Sequence, residues 1–282
     1  MDTQAIWKPK IPFWNIEIDS FFAQKKVNTS PGYRMDGEHA HQHYEILFNY
    51  SAIPIRHTVC GRAYESNTTY ILYRAPYILH SSNTLTDQPY TRYQVLFRPS
   101  VLAEYGGICD LGRLRGRWEC LIPASREDLM RLEPILARMR SAWQKEVPRH
   151  FWISLLAGLL YEISELVPAD LPPEADAPSY IQELMHYAVD HIGEDLGLDT
   201  MAEKFFVSRS KLNSDFHAAA HISLHEYVTA IRVSRAKIWL TEGMPLPLIA
   251  QKCGFARDSA FIHMFRRETG MTPGEWRREQ ER

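Results

Sequence analysis

The C-terminal third of this 282-residue chain contains a degenerate internal repeat, and no other feature constrains the fold as much. "MAEK" at 201–204 returns as "IAQK" at 249–252, an offset of 48. "DFHAAAHISLHEY" at 215–227 returns as "MFRRETGMTPGEW" at 264–276, an offset of 49. Phe216 thus matches Phe265, Ile222 matches Met271, Glu226 matches Glu275 and Tyr227 matches Trp276. The extra residue falls between the paired segments, where a turn belongs. Two similar helical hairpins can exist simply to pack together. Anchors matched at both ends, with a turn between, favour a use for the middle of the second helix.

Each copy reads as a short helix, a tight turn and a second helix. In the second copy Gly254 supplies the turn and Phe255 an apolar plug; in the first, Phe206 and Val207 stand there and Ser208 is placed to cap the next helix. Packing through Leu212 and Phe216, or through Phe261 and Phe265, leaves the intervening residues outward. Those are Arg209, Ser210, Asn213 and Ser214 in one copy, and Arg257, Asp258, Ser259, Ile262 and His263 in the other. Such side chains suit base edges in a major groove: Arg to guanine, Asn to adenine, Asp to cytosine, Ile to a thymine methyl.

Between the copies, "SLHEYVTAIRVSRAKIWLTEG" places Leu224, Tyr227, Val228, Ile231 and Trp239 at helical spacing and ends near Gly243. One rigid helix of this length can hold two reading heads apart, and heads about 34 Å apart enter successive major grooves. From Lys204 to Arg278 there are twelve Lys and Arg against six acids, although the whole chain carries a formal charge of −2. The local excess suits a polyanion. Lys211, Arg232, Arg235, Lys237, Arg266 and Arg267 are the candidates for phosphate contacts, which give affinity without sequence information.

With "RAKIWL", "IAQKCGF" and "FRRETGMTPGEWR" in that order, residues 181–278 resemble the DNA-binding domain of AraC/XylS-type bacterial transcription regulators. The resemblance implies two helix-turn-helix motifs joined by a long helix, with the outward residues as base readers. It also implies RNA polymerase as a further candidate partner. The first copy departs from the family pattern at "HAAAH", where a basic stretch ending in Gly is usual and His221 takes the glycine place.

The region before about Pro99 reads differently. "HYEILFNYS", "TTYILYRAPYIL" and "YTRYQVLFRP" are β-branched and aromatic-rich, separated by Gly, Pro, Asn and Ser. Short strands so spaced predict a barrel or sandwich. From Ser125 the pattern turns helical: a Ser N-cap with acids in the first turn, then an apolar stripe at Trp152, Leu155, Leu156, Leu159, Ile163 and Leu166. The stripe either packs on the strands or pairs two subunits, and the family resemblance favours a homodimer. Pro168, Pro172, Pro173 and Pro178 then mark a semi-rigid linker. The expected organisation is α+β: a cupin-like β-barrel over 1–122, a helical dimerisation segment over 123–170, a linker over 171–178, and an all-α domain with two helix-turn-helix motifs over 179–282.

"HAHQHYEILFNYS" is the other stretch with chemistry in it. Side chains alternate on a strand, so His41, His43 and Glu45 share a face, and "APYILHSSN" adds His80. The set approximates the H-x-H…E…H arrangement of metal-binding cupin barrels, with the His pair readable as His39/His41 or His41/His43. Regulators of the resembled family keep a similar strand around a small-molecule pocket without metal, so no metal or cofactor is assigned. Three readings stay open: solvated residues at a barrel mouth, a metal site, or an effector pocket. For the last, His41, Glu45, Tyr73, His80 and Tyr93 are the candidates, a polyol such as a carbohydrate the effector, and the aromatic arm with Trp7, Phe13 and Trp14 a cover.

The chain is therefore expected to be a cytoplasmic, sequence-specific DNA-binding transcription regulator responding to a small molecule. The alternative is a metal-dependent cupin enzyme with an appended helical targeting domain. There is no G-x-S-x-G, no phosphate loop and no C-x-x-C, and Cys60, Cys109, Cys120 and Cys253 lie far apart. No stretch reaches the roughly 18 apolar residues of a membrane span, and the N-terminus has no basic start before an apolar run.

Overall fold

The computed structural model describes residues 21–28, 33, 35, 37–105, 109–144, 147–171 and 179–280. The arm with Trp7, Phe13 and Trp14, and the linker residues 172–178, lie outside these.

The N-terminal strands form two sheets. A five-stranded antiparallel sheet runs in the order β1 (Phe21–Asn28), β7 (Tyr90–Phe97), β2 (Tyr44–Asn49), β5 (Tyr70–Arg74), β8 (Glu119–Pro123). A three-stranded sheet runs β4 (Arg62–Ser66), β3 (Ile55–Val59), β6 (His80–Thr84). This corrects the expected barrel. The edge strands β1 and β8 do not pair with the small sheet, and a single bridge between His39 and His80 adds a further pairing at β6.

Alternation sorts the large sheet into two faces. Ile46, Phe48, Ile71, Tyr73, Tyr93, Val95 and Phe97 point one way, into a core completed by helices α2 (Arg126–Gln144) and α3 (Arg149–Leu166). Ser125 caps α2 as expected, its Oγ accepting from the Asp128 N–H at 3.1 Å. The apolar stripe of α3 goes into this core: Trp152, Leu155, Leu156, Leu159 and Ile163 are buried. Burying a Leu or Ile so stabilises the fold by about 1.5–3 kcal/mol each. The other face looks at the small sheet and alternates Leu47, Tyr70 and Leu72 with Glu45, Arg74, Arg92 and Gln94, a polar interior inside an apolar rim. A short helix, α1 (Pro99–Tyr105), follows β7.

The rest is helical: α4 (Ser179–Asp190), α5 (Leu198–Lys204), α6 (Arg209–Ala220), α7 (Leu224–Thr241), α8 (Leu246–Lys252), α9 (Asp258–Thr269) and α10 (Pro273–Gln280). One apolar cluster joins both parts of the molecule. Cys60, Ala75, Ile78, Leu79 and Trp118 pack in it with Ile181, Leu184, Phe216, Tyr227 and Ile231. Among the described residues no helix is long and apolar enough to cross a membrane.

Candidate nucleic-acid interface and sensing pocket

The internal repeat is structural down to its caps. Met201 and Ala202 of α5, like Ile249 and Ala250 of α8, are buried. The turns then pass through left-handed backbone at matching places, Phe206 (φ 54°) and Gly254 (φ 77°). At Gly254 the need is steric as well, because a Cβ would stand 2.9 Å from the Gly193 carbonyl oxygen. After the second helix of each pair, His221 (φ 59°) and Gly270 (φ 80°) form left-handed C-caps. Capping boxes open the next helices: Ser223 with Glu226, and Thr272 with Glu275. Phe216 meets Tyr227 edge-on at 5.6 Å, and Phe265 meets Trp276 edge-on at 6.5 Å.

Inside that frame, α6 buries Leu212, Phe216 and Ala220, and α9 buries Phe261, Met264 and Phe265. The opposite faces are open. Arg209, Ser210, Asn213 and Ser214 are exposed, as are Arg257, Asp258, Ser259 and His263. Ile262 alone is half-buried, against the core that holds Phe261 and Trp276. Ser208 caps α6, its Oγ accepting from the Lys211 N–H at 3.2 Å, and Arg209 pairs with Asp199 at 3.1 Å across the turn.

The expected phosphate contacts divide. Lys211, Arg266 and Arg267 are exposed, with Lys211 paired to Asp215 and Arg267 to Glu268, each at 2.7 Å. Arg232 requires a correction: its guanidinium donates to the carbonyls of Ile192 and Glu194 at 3.2 and 2.9 Å and lies over the Phe255 ring. It clamps the end of α4 onto the second pair, and burial lowers its pKa. Arg235 is half-buried and its pKa is likewise lowered by burial. Lys237 is half-buried too, near Gly37 of the N-terminal part.

The second site lies between the two sheets. A cavity of about 50 Å³ is lined by Lys26, His39, Glu45, Arg74, His80 and Arg92, with Gln94 and Ser82 beside them. Glu45 sits at its centre, 3% exposed. One carboxylate oxygen accepts from Gln94; the other is 3.1 Å from His80 Nε2, 3.5 Å from Arg74 Nη1 and 3.7 Å from His41 Nε2. Arg74 is paired to Glu119 as well and donates to His57 and Ser82. Burial, then the Arg74 charge, pushes His80 down to about 4; burial and Arg74 also bring His57 to about 3. Both rings are neutral near pH 7. Lys26 falls to about 7, through burial first and the neighbouring Arg92 second, against a smaller opposing pull from Glu45. Buried polar and charged groups that converge on one cavity make it the candidate sensing site.

Two effector candidates are corrected here. Tyr73 and Tyr93 leave the opposite face of the sheet and pack in the helix-covered core. Glu45 pairs in register with Arg74, so Tyr73, one residue earlier, must face away. Tyr93 is likewise flanked by the inward Arg92 and Gln94. Sequence reasoning missed Lys26, Arg74, Arg92 and Gln94. An arginine ending the otherwise apolar "YILYR", and the alternation of Arg92 and Gln94 in β7, were the available signals.

The helix-turn-helix family matches residues 201–279. Over these residues the chain is similar to the helix-turn-helix domain of AraC/XylS-type regulators. The HTH-type transcriptional activator RhaR of Salmonella dublin is 27% identical over 107 residues, 37% of this chain and 38% of its own length. The Escherichia coli K12 HTH-type regulator YijO is 25% identical over 127 residues, 44% of each chain. The chain thus spans less than half the length of these curated relatives. Over the whole fold, ToxT from Vibrio cholerae O395 superposes with a TM-score of 0.58, covering 92% of this chain and 97% of its own, at 17% identity. That is a likeness of fold.

Hydrogen bonds at the Tyr77 segment connect the strand part with the helical part. The Tyr77 N–H donates to the His41 carbonyl at 2.8 Å, while the Tyr77 carbonyl accepts from the Tyr227 hydroxyl of α7 at 2.8 Å. The Tyr77 ring stacks on His186 of α4 at 4.6 Å, and Gln42 donates to Asp190 at the end of α4 at 2.6 Å. Tyr77, three residues before His80, is thus hydrogen-bonded both to His41 and to the helix between the two helical pairs.

Proposed function

We propose that the chain is a DNA-binding transcription regulator whose N-terminal sandwich senses a small molecule. The observation that carries this is the pair of equivalent helical hairpins, each packed on one side and open on the other with polar, base-competent side chains. In this reading α6 and α9 are two recognition helices, and α7 sets their separation so that they enter successive major grooves. Arg209, Ser210, Asn213, Ser214, Arg257, Asp258, Ser259, Ile262 and His263 read bases. Lys211, Arg266 and Arg267 hold phosphates, with Arg235 and Lys237 in secondary positions. The domain limits follow: a sensing part over 1–122, helices over 123–170, a linker over 171–178 and the DNA-binding part from 179.

The effector enters beside Glu45 and His80. Arg74 is matched by Glu45 and Glu119; Lys26 and Arg92 favour a small acidic compound over the neutral sugar suggested by the sequence. Subunits pair through the outer face of α2 and α3. The apolar stripe of α3 is turned inward, but Met130 and Tyr161 stand 62% and 65% exposed on the two helices that the Arg131–Glu162 pair joins at 3.5 Å. RNA polymerase is a further partner of a regulator so built. Effector binding shifts the Tyr77 segment, and with it the placement of α4 and α7.

Binding of the full chain to random-sequence duplex, followed by fluorescence anisotropy across a salt series, tests the electrostatic half. A log–log slope that falls by about 0.9 when Arg266→Ala removes one phosphate contact is expected. Affinity that is indifferent to salt would overturn the interface.

A further inference from the structure

The histidines around Glu45 carry more than an effector pocket requires. His39, His41 and His80 are all buried, and one ring nitrogen of each lies within 4.8 Å of those of the other two. Backbone geometry produces the cluster. His39 and His80 exchange main-chain hydrogen bonds at 2.9 and 2.8 Å, which sets their rings 4.4 Å apart. His41 follows two residues later on the same side, its ring 5.0 Å from that of His80.

The tautomers are fixed from behind. His80 Nδ1 lies 2.8 Å from the Ile78 carbonyl oxygen, and His41 Nδ1 lies 3.1 Å from that of His43. A carbonyl only accepts, so each Nδ1 carries the hydrogen, and in the neutral ring each Nε2 turns a lone pair inward. Both Nε2 atoms are buried, and Glu45 is the polar group that faces them. They face the same Glu45 oxygen at 3.1 and 3.7 Å. A lone pair and a carboxylate oxygen that close repel each other unless a cation stands between them. Imidazoles held by carbonyls at one nitrogen and bare at the other are how proteins prepare ligands for a metal.

We propose that His39, His41, His80 and Glu45 hold a divalent first-row transition ion inside the sandwich. Three imidazoles and one carboxylate suit zinc, iron(II), cobalt or nickel, and are too rich in nitrogen for magnesium or calcium. Two donors on a tetrahedral ion stand about 3.4 Å apart, so a pair now as much as 4.8 Å apart closes when each ring shifts by about 0.7 Å. The cavity volume accommodates an ion with a water or two. Of the two His pairs open to sequence reasoning, the structure selects His39/His41; His43 is outside the cluster. The inference deepens the sensing-site reading and rests on it for its consequence. A loaded ion ties the segment after Gly37 to β6, on either side of Tyr77, the residue that touches α7.

The test uses the full chain stripped with a chelator and titrated with Co²⁺, then with Zn²⁺ in competition. Saturable uptake of one Co²⁺ per chain is expected, with visible d–d bands that Zn²⁺ abolishes. His80→Ala and His39→Ala each weaken uptake more than about 10-fold, while His43→Ala leaves it intact. Circular dichroism verifies folding of every variant; should His80→Ala not fold, His39→Ala carries the comparison. No saturable uptake by the wild-type chain, or uptake equally indifferent to all three substitutions, overturns the proposal. A proton shared between His80 and Glu45 would then be the cation in the cluster. Enrichment of a DNA site by the metal-free chain is read separately, so loss of the metal site and loss of the regulator reading are distinguishable.

Discussion

Asn213 and Arg257 differ from Arg266 in what their exposure can mean. The first two stand at the outward start of helices anchored by Leu212, Phe216, Phe261 and Phe265. Asn213→Ala or Arg257→Ala should relax base preference at a single position by roughly 1–3 kcal/mol, measured on point-mutated duplexes. Arg266→Ala should weaken all sequences alike. Lys26 gives the sensing part a pH signature. Its pKa is about 7 in the fold against 10.5 for the free side chain, lowered by burial and by Arg92 and partly opposed by Glu45. Between those values the unfolded chain holds the proton and the folded chain does not, so stability rises with pH across that window and is flat below it. Denaturant titrations at pH 7 and 9.5 should show the gain in the wild type and lose it in Lys26→Met. An acidic effector, in contrast, should bind more weakly as pH climbs past 7, since the charged amine attracts it.

At the scale of elements, the repeat was legible because helix caps and turn residues are written locally. Ser223, Glu226, Thr272, Glu275 and Gly254 each act on backbone within a few residues. The departure at His221 is structurally faithful as well, because the histidine takes up the left-handed conformation that Gly270 holds in the other copy. His221→Gly should therefore stabilise the domain by about 0.5–1 kcal/mol, and Gly270→Ala should destabilise it by about 1 kcal/mol, both read from thermal unfolding. Strand faces were less legible. Which of Tyr73 and Arg74 looks into the cavity depends on the pairing of Arg74 with Glu45, 29 positions away along the chain, and alternation alone leaves both faces available. The closed barrel failed for a related reason, since whether edge strands meet depends on twist and on the loops between sheets rather than on strand count. The α3 stripe gave the element but not its partner: it is buried on its own sheet, so Tyr161→Glu on the outer face, not a change in the stripe, should turn a dimer into a monomer in light scattering.

At the scale of the whole molecule, the Tyr77 segment and a shared apolar core join the part that holds the polar cavity to the helix-turn-helix domain. The Tyr227 hydroxyl reaches the Tyr77 carbonyl over 150 positions of sequence, and Ile78 and Leu79 share a core with Ile181 and Ile231. Removing that hydroxyl in Tyr227→Phe should cost about 1 kcal/mol in stability. DNA affinity without effector should persist while the change on adding effector shrinks, because the linkage and not the reading face has been cut. The central claim is that two helices on one rigid domain read adjacent grooves. Selection of random duplex DNA by the purified full-length chain at moderate salt tests it most directly. Enrichment of two conserved blocks about 10 base pairs apart is the predicted result. Enrichment of one block only, or of none by a folded chain with and without its cavity ligand, would contradict it.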